Sequence, residues 1–295
     1  MTMFVQKSFV SGKEEGQLYL VATPIGNLDD MTVRAIHTLR EVDIIAAEDT
    51  RQTRKLLTHF QIETRLISYH EHNKTASGPE IIRLLMEGKS VALVSDAGLP
   101  AISDPGEDLV RAAVEEGITI IPIPGANAGL SALIVSGLPT DKFVFRGFLP
   151  RDKKERREEL ERLRPYPETL IFYESPHRIS KTLHEMLEIF GDRKIALGRE
   201  LTKRYEEFIR GGMEEVLRFL EEQEEIRGEF TLIVEGSTEV EEAETDSWWR
   251  GLDIVTHVNV HIEKGANKKE ALKLTAEERG LPKREVYNEY HQNEK

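Results

Sequence analysis

Short apolar runs without alternation recur along the first half of the chain, at residues 18–22, 44–47, 91–94 and 118–121. Unbroken runs of this length predict strands buried on both faces, as in parallel sheets. After the first run, Met31, Ala35 and Leu39 recur at helical spacing, with Val33 and Ile36 nearby. Strand, loop, helix, strand predicts an α/β domain over residues 16–128 with a mainly parallel sheet. A second α/β block is expected over 129–237, with strands at 143–145, 170–173, 195–197 and 230–234 and a charged helix over 151–164. Residues 238–247 are acidic and nearly free of apolar side chains, which predicts a linker. Residues 248–295 are patterned as helices, with stretches at 268–279 and 283–291 flanking Gly280, Leu281 and Pro282. That is compatible with a helix-turn-helix unit. Residues 1–15 are left as an N-terminal extension.

Composition narrows the chemistry. The 295 residues contain no cysteine, which removes disulfides, thiolate metal sites and cysteine nucleophiles. No metal-ligand spacing stands out, so no metal is expected. The first residues lack the apolar core of a signal peptide, and no apolar run reaches bilayer length, so a cytoplasmic protein is expected. The net charge of −13 argues against a chain that simply coats nucleic acid. The charge is uneven, because residues 247–295 hold nine Lys or Arg against eight acids. Trp248 and Trp249 are expected as core or interface anchors.

In α/β sheets, ligands sit at the carboxyl ends of strands. The first run ends in Thr23-Pro24-Ile25-Gly26-Asn27, which lacks the G-x-G-x-x-G of a pyrophosphate cradle. The third ends in residues 95–106, where Gly98, Gly106, Pro100, Pro105, Asp96, Asp104, Ser95 and Ser103 crowd into one loop. Glycine admits a ligand close to the backbone and proline fixes loop shape, so this reads as a ligand loop. Pro124-Gly125-Ala126-Asn127-Ala128 is either a ligand-binding helix start or an ordinary one capped by Asn127. Glu174-Ser175-Pro176-His177-Arg178 and Arg199-Glu200-Leu201-Thr202-Lys203-Arg204 end two strands of the second block and are expected to face the cleft between blocks. Over 151–164, seven cations including Arg151, Lys153 and Lys154 interleave with five acids. Both a solvated helix and a phosphate-contacting edge fit that pattern.

Taken in order, these motifs resemble the tetrapyrrole methylase superfamily, within it the branch that methylates the 2'-hydroxyl of a cytidine in the 16S RNA of the small ribosomal subunit. The resemblance covers about residues 16–236 and, more weakly, the C-terminal helices. It implies a two-domain class III methyltransferase fold with a small C-terminal helical appendage, S-adenosylmethionine as methyl donor, and a homodimer. It implies donor contacts at Pro24, Asp96, Gly98, Leu99, Ser103, Pro124, Gly125 and Asn127, with Phe230 lining the pocket. A ribose hydroxyl is a weak nucleophile, so a base is expected. Glu200 or Glu174 is the candidate, with Lys203 or Arg178 holding a phosphate and His177, Arg199, Arg151, Lys153 and Lys154 as further substrate contacts. Two other readings compete. One is a methylase of a tetrapyrrole carbon. The other is a non-enzymatic protein that senses a ligand and binds nucleic acid.

Overall fold

The computed structural model describes residues 5, 6, 16–238, 249 and 251–292. Nearly all of the expected extension and linker, and Trp248, lie outside the described residues. The chain divides into two units, Met1–Glu239 and Val240–Lys295.

The first sheet of the larger unit is built from β1 (Gln17–Val21), β2 (Ile44–Ala47), β3 (Arg65–Ser68), β4 (Val91–Val94) and β5 (Thr119–Ile123). Its strands run in the order β3-β2-β4-β1-β5, and every pairing is parallel. Strands β2 and β4 are buried along their whole length, which is why they read as unbroken apolar runs. The intervening helices are α1 (Val33–Glu41), α2 (Thr50–His59), α3 (Lys74–Met86) and α4 (Gly106–Glu115). Ala35, Leu39 and Leu57 of α1 and α2 pack with Val21 and Ile45 on one face of the sheet. Ile81, Leu85 and Leu109 of α3 and α4 pack with Leu18 and Leu93 on the other. Thr32 and Asp49 cap α1 and α2 by accepting from the backbone N–H of Ala35 and Arg51.

The second sheet is mixed. It comprises β6 (Phe143–Phe148), β7 (Thr169–Glu174), β8 (Lys194–Arg199), β9 (Glu207–Gly212) and β10 (Phe230–Val234), in the order β6-β7-β10-β8-β9. Only β6 and β7 pair in parallel; the other pairings are antiparallel. Helices α6 (Lys153–Leu163), α7 (Ile179–Phe190) and α8 (Met213–Glu221) cover one face, where Leu160, Leu183 and Leu217 meet Phe172 and Leu232. Helix α5 (Ala128–Ser136) covers the other, with Ala132 and Leu133 against Ile171, Ala196 and Ile233. Alternate residues of β7 therefore serve opposite cores. A register shift between Phe145 and Gly147 bends β6. Gly147 has φ +63°, and a Cβ there would stand 2.7 Å from the Ser103 hydroxyl. Only glycine lets the bulge approach the 98–104 loop so closely.

Two strands, β3 and β9, were not expected from the sequence. Both are sheet edges, and neither carries a fully buried residue. The smaller unit is three helices, α9 (Ile254–Glu263), α10 (Lys268–Arg279) and α11 (Lys283–Gln292). Ile254, Val258, Leu272, Ala276, Val286 and Tyr290 form its core. Gly280 ends α10 in the left-handed conformation, as a C-terminal glycine should. Among the described residues, no helix is long and apolar enough to cross a membrane.

Candidate active site

A cavity of about 530 Å³ lies between the two sheets of the larger unit. Ile25 follows β1, Glu48 follows β2, residues from Ser95 to Asp104 follow β4, and Asn127 and Ala128 follow β5. Carboxyl ends of four parallel strands thus line one wall. The second sheet supplies Phe148, Tyr173, Glu174, Ser175 and Pro176, with Leu201, Glu229, Phe230 and Thr231. The loops are cross-linked. Thr23 and Gly98 exchange two backbone hydrogen bonds, of 2.9 and 3.0 Å, joining the loops after β1 and β4. The Gly129 N–H donates to the Tyr173 hydroxyl at 3.1 Å, joining α5 to β7. A Cβ on Gly26 would stand 2.4 Å from Cγ of Lys203, so this glycine lets the first loop touch the 200–203 loop.

The 98–104 loop is held in an unusual shape. Ala101 and Ser103 adopt φ of 67° and 63°, in the left-handed region that L side chains avoid. Asp104 Oδ1 stabilises the turn by accepting from the N–H of Ala101 at 2.9 Å and of Gly106 at 2.7 Å. Its Oδ2 is buried and makes no hydrogen bond among the described residues. Burial pushes the Asp104 carboxyl up, against the pull of these N–H groups. Glu48 is also pushed up, by burial first and then by the charges of Asp96 and Asp104. Asp96 accepts the Asp49 N–H at 3.0 Å. Among the described residues, the cavity lining contains five acids (Glu48, Asp96, Asp104, Glu174 and Glu229) and no Lys, Arg or His.

Of the donor contacts expected from the sequence, Asp96, Gly98, Leu99, Ser103, Asn127 and Phe230 line the cavity. Asn127 also caps α5, accepting from the Leu130 N–H at 2.8 Å. Pro24, Pro124 and Gly125 sit in the adjoining loops but are not part of the lining.

The expected catalytic residues divide. Glu174 lines the cavity but is 2% exposed, and both its oxygens are engaged. Oε1 accepts from the Ser175 N–H, and Oε2 from the Thr182 hydroxyl at 2.7 Å, with Arg178 at 3.4 Å. Glu200 and Lys203 are outside the lining. Lys203 donates to Glu200 and to Glu229, both at 2.9 Å, and Glu200 also accepts the Glu229 N–H. Burial raises the Glu200 carboxyl, but the Glu229 N–H and the Lys203 ammonium outweigh it and hold it below the usual range. Lys203 is correspondingly raised: burial lowers it, and its two carboxylate partners more than compensate.

The expected substrate contacts are also spread out. Arg178 turns back to the carbonyls of Leu149 and Pro150. Arg199 donates to the Arg227 carbonyl and to Gln223, with its guanidinium 5.7 Å from the Phe230 ring. It therefore braces a cavity wall from behind. His177 faces a separate shallow hollow. Arg151, Lys153 and Lys154 are exposed at the start of α6, away from the cavity lining.

Glu48 was not singled out in the sequence, because a lone glutamate after a strand carries no signal. Its neighbours Asp96 and Asp104 come from a distant loop. In the smaller unit, His257, His261 and Glu278 gather with ligand atoms within 4.8 Å of one another. The i, i+4 histidine spacing was the sequence signal for this cluster, and it was missed.

The sequence profile of the tetrapyrrole (corrin/porphyrin) methylases matches residues 17–217. A protein of Halalkalibacterium halodurans named ribosomal RNA small subunit methyltransferase I is 58% identical over 98% of this chain and 100% of its own length. One of the same name from Bacillus subtilis is 57% identical over 97% of this chain and 98% of its own. Among solved structures, uroporphyrin-III C-methyltransferase from Thermus thermophilus, complexed with S-adenosylhomocysteine, superposes with a TM-score of 0.53. It is 17% identical and covers 75% of this chain and 97% of its own, a likeness of fold.

Proposed function

The chain belongs to the tetrapyrrole methylase family, alongside full-length relatives named ribosomal RNA small subunit methyltransferase I, and from that premise we propose that it transfers the methyl group of S-adenosylmethionine to the 2'-hydroxyl of a cytidine in small-subunit ribosomal RNA. The observation that carries the reading is the cavity between the sheets. S-adenosylmethionine is a cation with an apolar-faced adenine. The buried, unpartnered Asp104 Oδ2, with Asp96 nearby, suits its positive groups. Ile25, Leu99, Phe148 and Phe230 suit its ring and chain. When bound, the donor supplies an electrophilic methyl on a sulfonium.

The protein's remaining tasks are alignment and proton transfer. Of the lining carboxylates, Glu48 and Asp104 are the two held above the ordinary range by burial. Asp104 holds its own turn through Oδ1 and offers Oδ2 to the donor, so Glu48 takes the proton of the ribose hydroxyl. Lys203 and Glu200 brace the 200–203 loop beside the cavity rather than act on the proton. A 2'-hydroxyl target restricts the reaction to RNA.

A tetrapyrrole precursor carries several carboxylates and calls for a cationic pocket. Among the described residues the lining has five acids and no cation, which favours a neutral ribose as the group entering it. In this reading the protein acts in the cytoplasm, as a homodimer, on RNA or on the assembled small subunit. The test is transfer from labelled donor to unmodified small subunits, naked 16S RNA and tetrapyrrole precursors in parallel. Label on a cytidine ribose, mapped by resistance to alkaline cleavage, is the expected result. Label on a tetrapyrrole alone would replace it with the family's other chemistry.

A further inference from the structure

Helix α2 is the one described helix that carries cations and no acid within its own span: it holds Arg51, Arg54 and Lys55 and no Asp or Glu. In a chain of net charge −13 that is exceptional. On α6, by contrast, cations pair with neighbouring acids, as in Arg157 with Glu188 and Arg162 with Glu159. On α2, Arg51, Arg54, Lys55 and Thr58 fall at i, i+3, i+4 and i+7, a single exposed stripe opposite the buried Thr53 and Leu57. With Thr50 they line a surface hollow of about 490 Å³. Arg51 bridges Asp49 at 2.9 Å with its side chain 88% exposed, and among the described residues Lys55 donates to the neutral Gln52 alone. The Arg54 guanidinium makes no ion pair among the described residues.

The stripe begins at the cavity. Glu48 is part of the lining, and the next residue, Asp49, caps α2 and donates its N–H to Asp96. Ten helical residues then lead away over about 15 Å. A polyanion that inserts a neutral ribose among five carboxylates must have its phosphates compensated outside the lining, and α2 is the cationic element adjoining it. The stripe offers guanidinium, ammonium and hydroxyl donors and no aromatic ring. These are phosphate contacts rather than base readers.

We propose that the exposed face of α2 is a phosphate track, holding the sugar–phosphate backbone of the RNA strand beside the nucleotide that enters the cavity. The inference rests on the RNA reading given above.

The test uses full-length protein carrying Arg54→Glu with Lys55→Glu, and separately Arg54→Gln with Lys55→Gln. Binding of unmodified 16S RNA, naked and in small subunits, is followed by titration across a salt series. Calorimetry with S-adenosylmethionine in the same preparations checks that the cavity is intact. The glutamate pair is expected to weaken RNA binding at least tenfold. The glutamine pair should reduce the slope of log affinity against log salt by about 1.4, at about 0.7 per lost cation on a single strand. Donor affinity should stay within twofold. Unchanged RNA affinity and slope with donor binding intact would overturn the track. Weakened binding to subunits but not to naked RNA would overturn it too, assigning the stripe to a ribosomal protein. If wild-type protein binds RNA with the slope the variants lose, yet labels no RNA, the track stands and the proposed reaction falls.

Discussion

Glu48 and Glu200 both stand at the ends of strands, but their surroundings give them opposite tendencies toward a proton. Glu200 is tied to an ammonium and a backbone N–H, which keep it charged. Glu48 is partly buried beside Asp96 and Asp104, and each of these effects favours the neutral acid. A general base works best when its affinity for a proton is raised towards the operating pH. Glu48→Gln is therefore expected to lower single-turnover transfer by about 10²–10⁴-fold. In the wild type, activity should rise with pH as Glu48 loses its proton, above the ordinary glutamate value of about 4.3. That acid limb should vanish in the variant. A variant that loses donor affinity but keeps its transfer rate at saturation would instead make Glu48 a donor contact. Sequence alone pointed to Glu174 and Glu200 because each sits among other charged residues at a strand end. What it could not supply was the hydrogen bonding that neutralises such clusters from within. The 95–106 loop was legible for the opposite reason, since its unusual residues are used in its own backbone turn, at Asp104 and Gly106.

Helix α6 shows the same limit at the scale of an element. Its length and place were readable from sequence, but its cations were ambiguous between phosphate contacts and a solvated face. Arg156 is neither: it is 2% exposed and grips Glu185 of α7 through Nε and Nη2, while Nη1 donates to the carbonyls of Pro150 and Arg151. Removing one partner leaves a buried charge, so Arg156→Met should cost about 3–5 kcal/mol, read as a lowered urea midpoint. Adding Glu185→Leu should recover most of the loss. If the double variant is no better than the single one, the arginine's carbonyl contacts outweigh the ion pair. A second network ties α9 to α10. The Arg279 Nε–H donates to His257 Nδ1 at 3.0 Å, so the hydrogen of the neutral ring is on Nε2, aimed at Glu278 at 2.7 Å. That hydrogen occupies the lone pair a metal ion would need, so added zinc should not increase protection in α9 and α10. Burial lowers the His257 pKa, with the Arg279 and His261 charges adding to the effect and Glu278 opposing it. The unfolded state then binds the proton more readily than the folded one. Hydrogen-exchange protection of α9 and α10 in the full chain should fall as pH drops through the ordinary histidine value of about 6.5. His257→Phe should flatten that dependence, and protection that is constant from pH 7.5 to 5 would refute it.

Across the whole molecule, the plainest strands in the sequence are those buried enough to be unbroken apolar runs, such as β2, β4 and β10, and the half-exposed edge β6 is legible only through its Phe143-Val144-Phe145 run. The edges β3 and β9 hide because their half-exposed segments, RLIS and EFIRGG, mix charged residues and glycine with apolar ones as loops do. The mixed direction of the second sheet is equally invisible, since pairing is decided by partners remote in the chain. Helix α5 is a different case. Its sequence is apolar all round, as if buried on every side. One face does pack on the second sheet, yet Leu130, Ile134 and Val135 are 46%, 75% and 42% exposed. Leu130 and Ile134 lie one turn apart and form a contiguous apolar strip, the kind of surface that marks an interface. A two-fold dimer brings the same strip together on both protomers, and such dimers are the commonest soluble assembly. For the homodimer proposed above, this strip makes α5 the predicted interface. Ile134→Arg should place two like charges near that axis and shift sedimentation from dimer to monomer at micromolar concentration. Because α5 also supplies Ala128 to the cavity and Gly129 to Tyr173, monomers should bind donor more weakly as well. A wild type that sediments as a monomer, or a variant that stays dimeric, would move the interface away from α5 and leave its exposed isoleucine without this explanation.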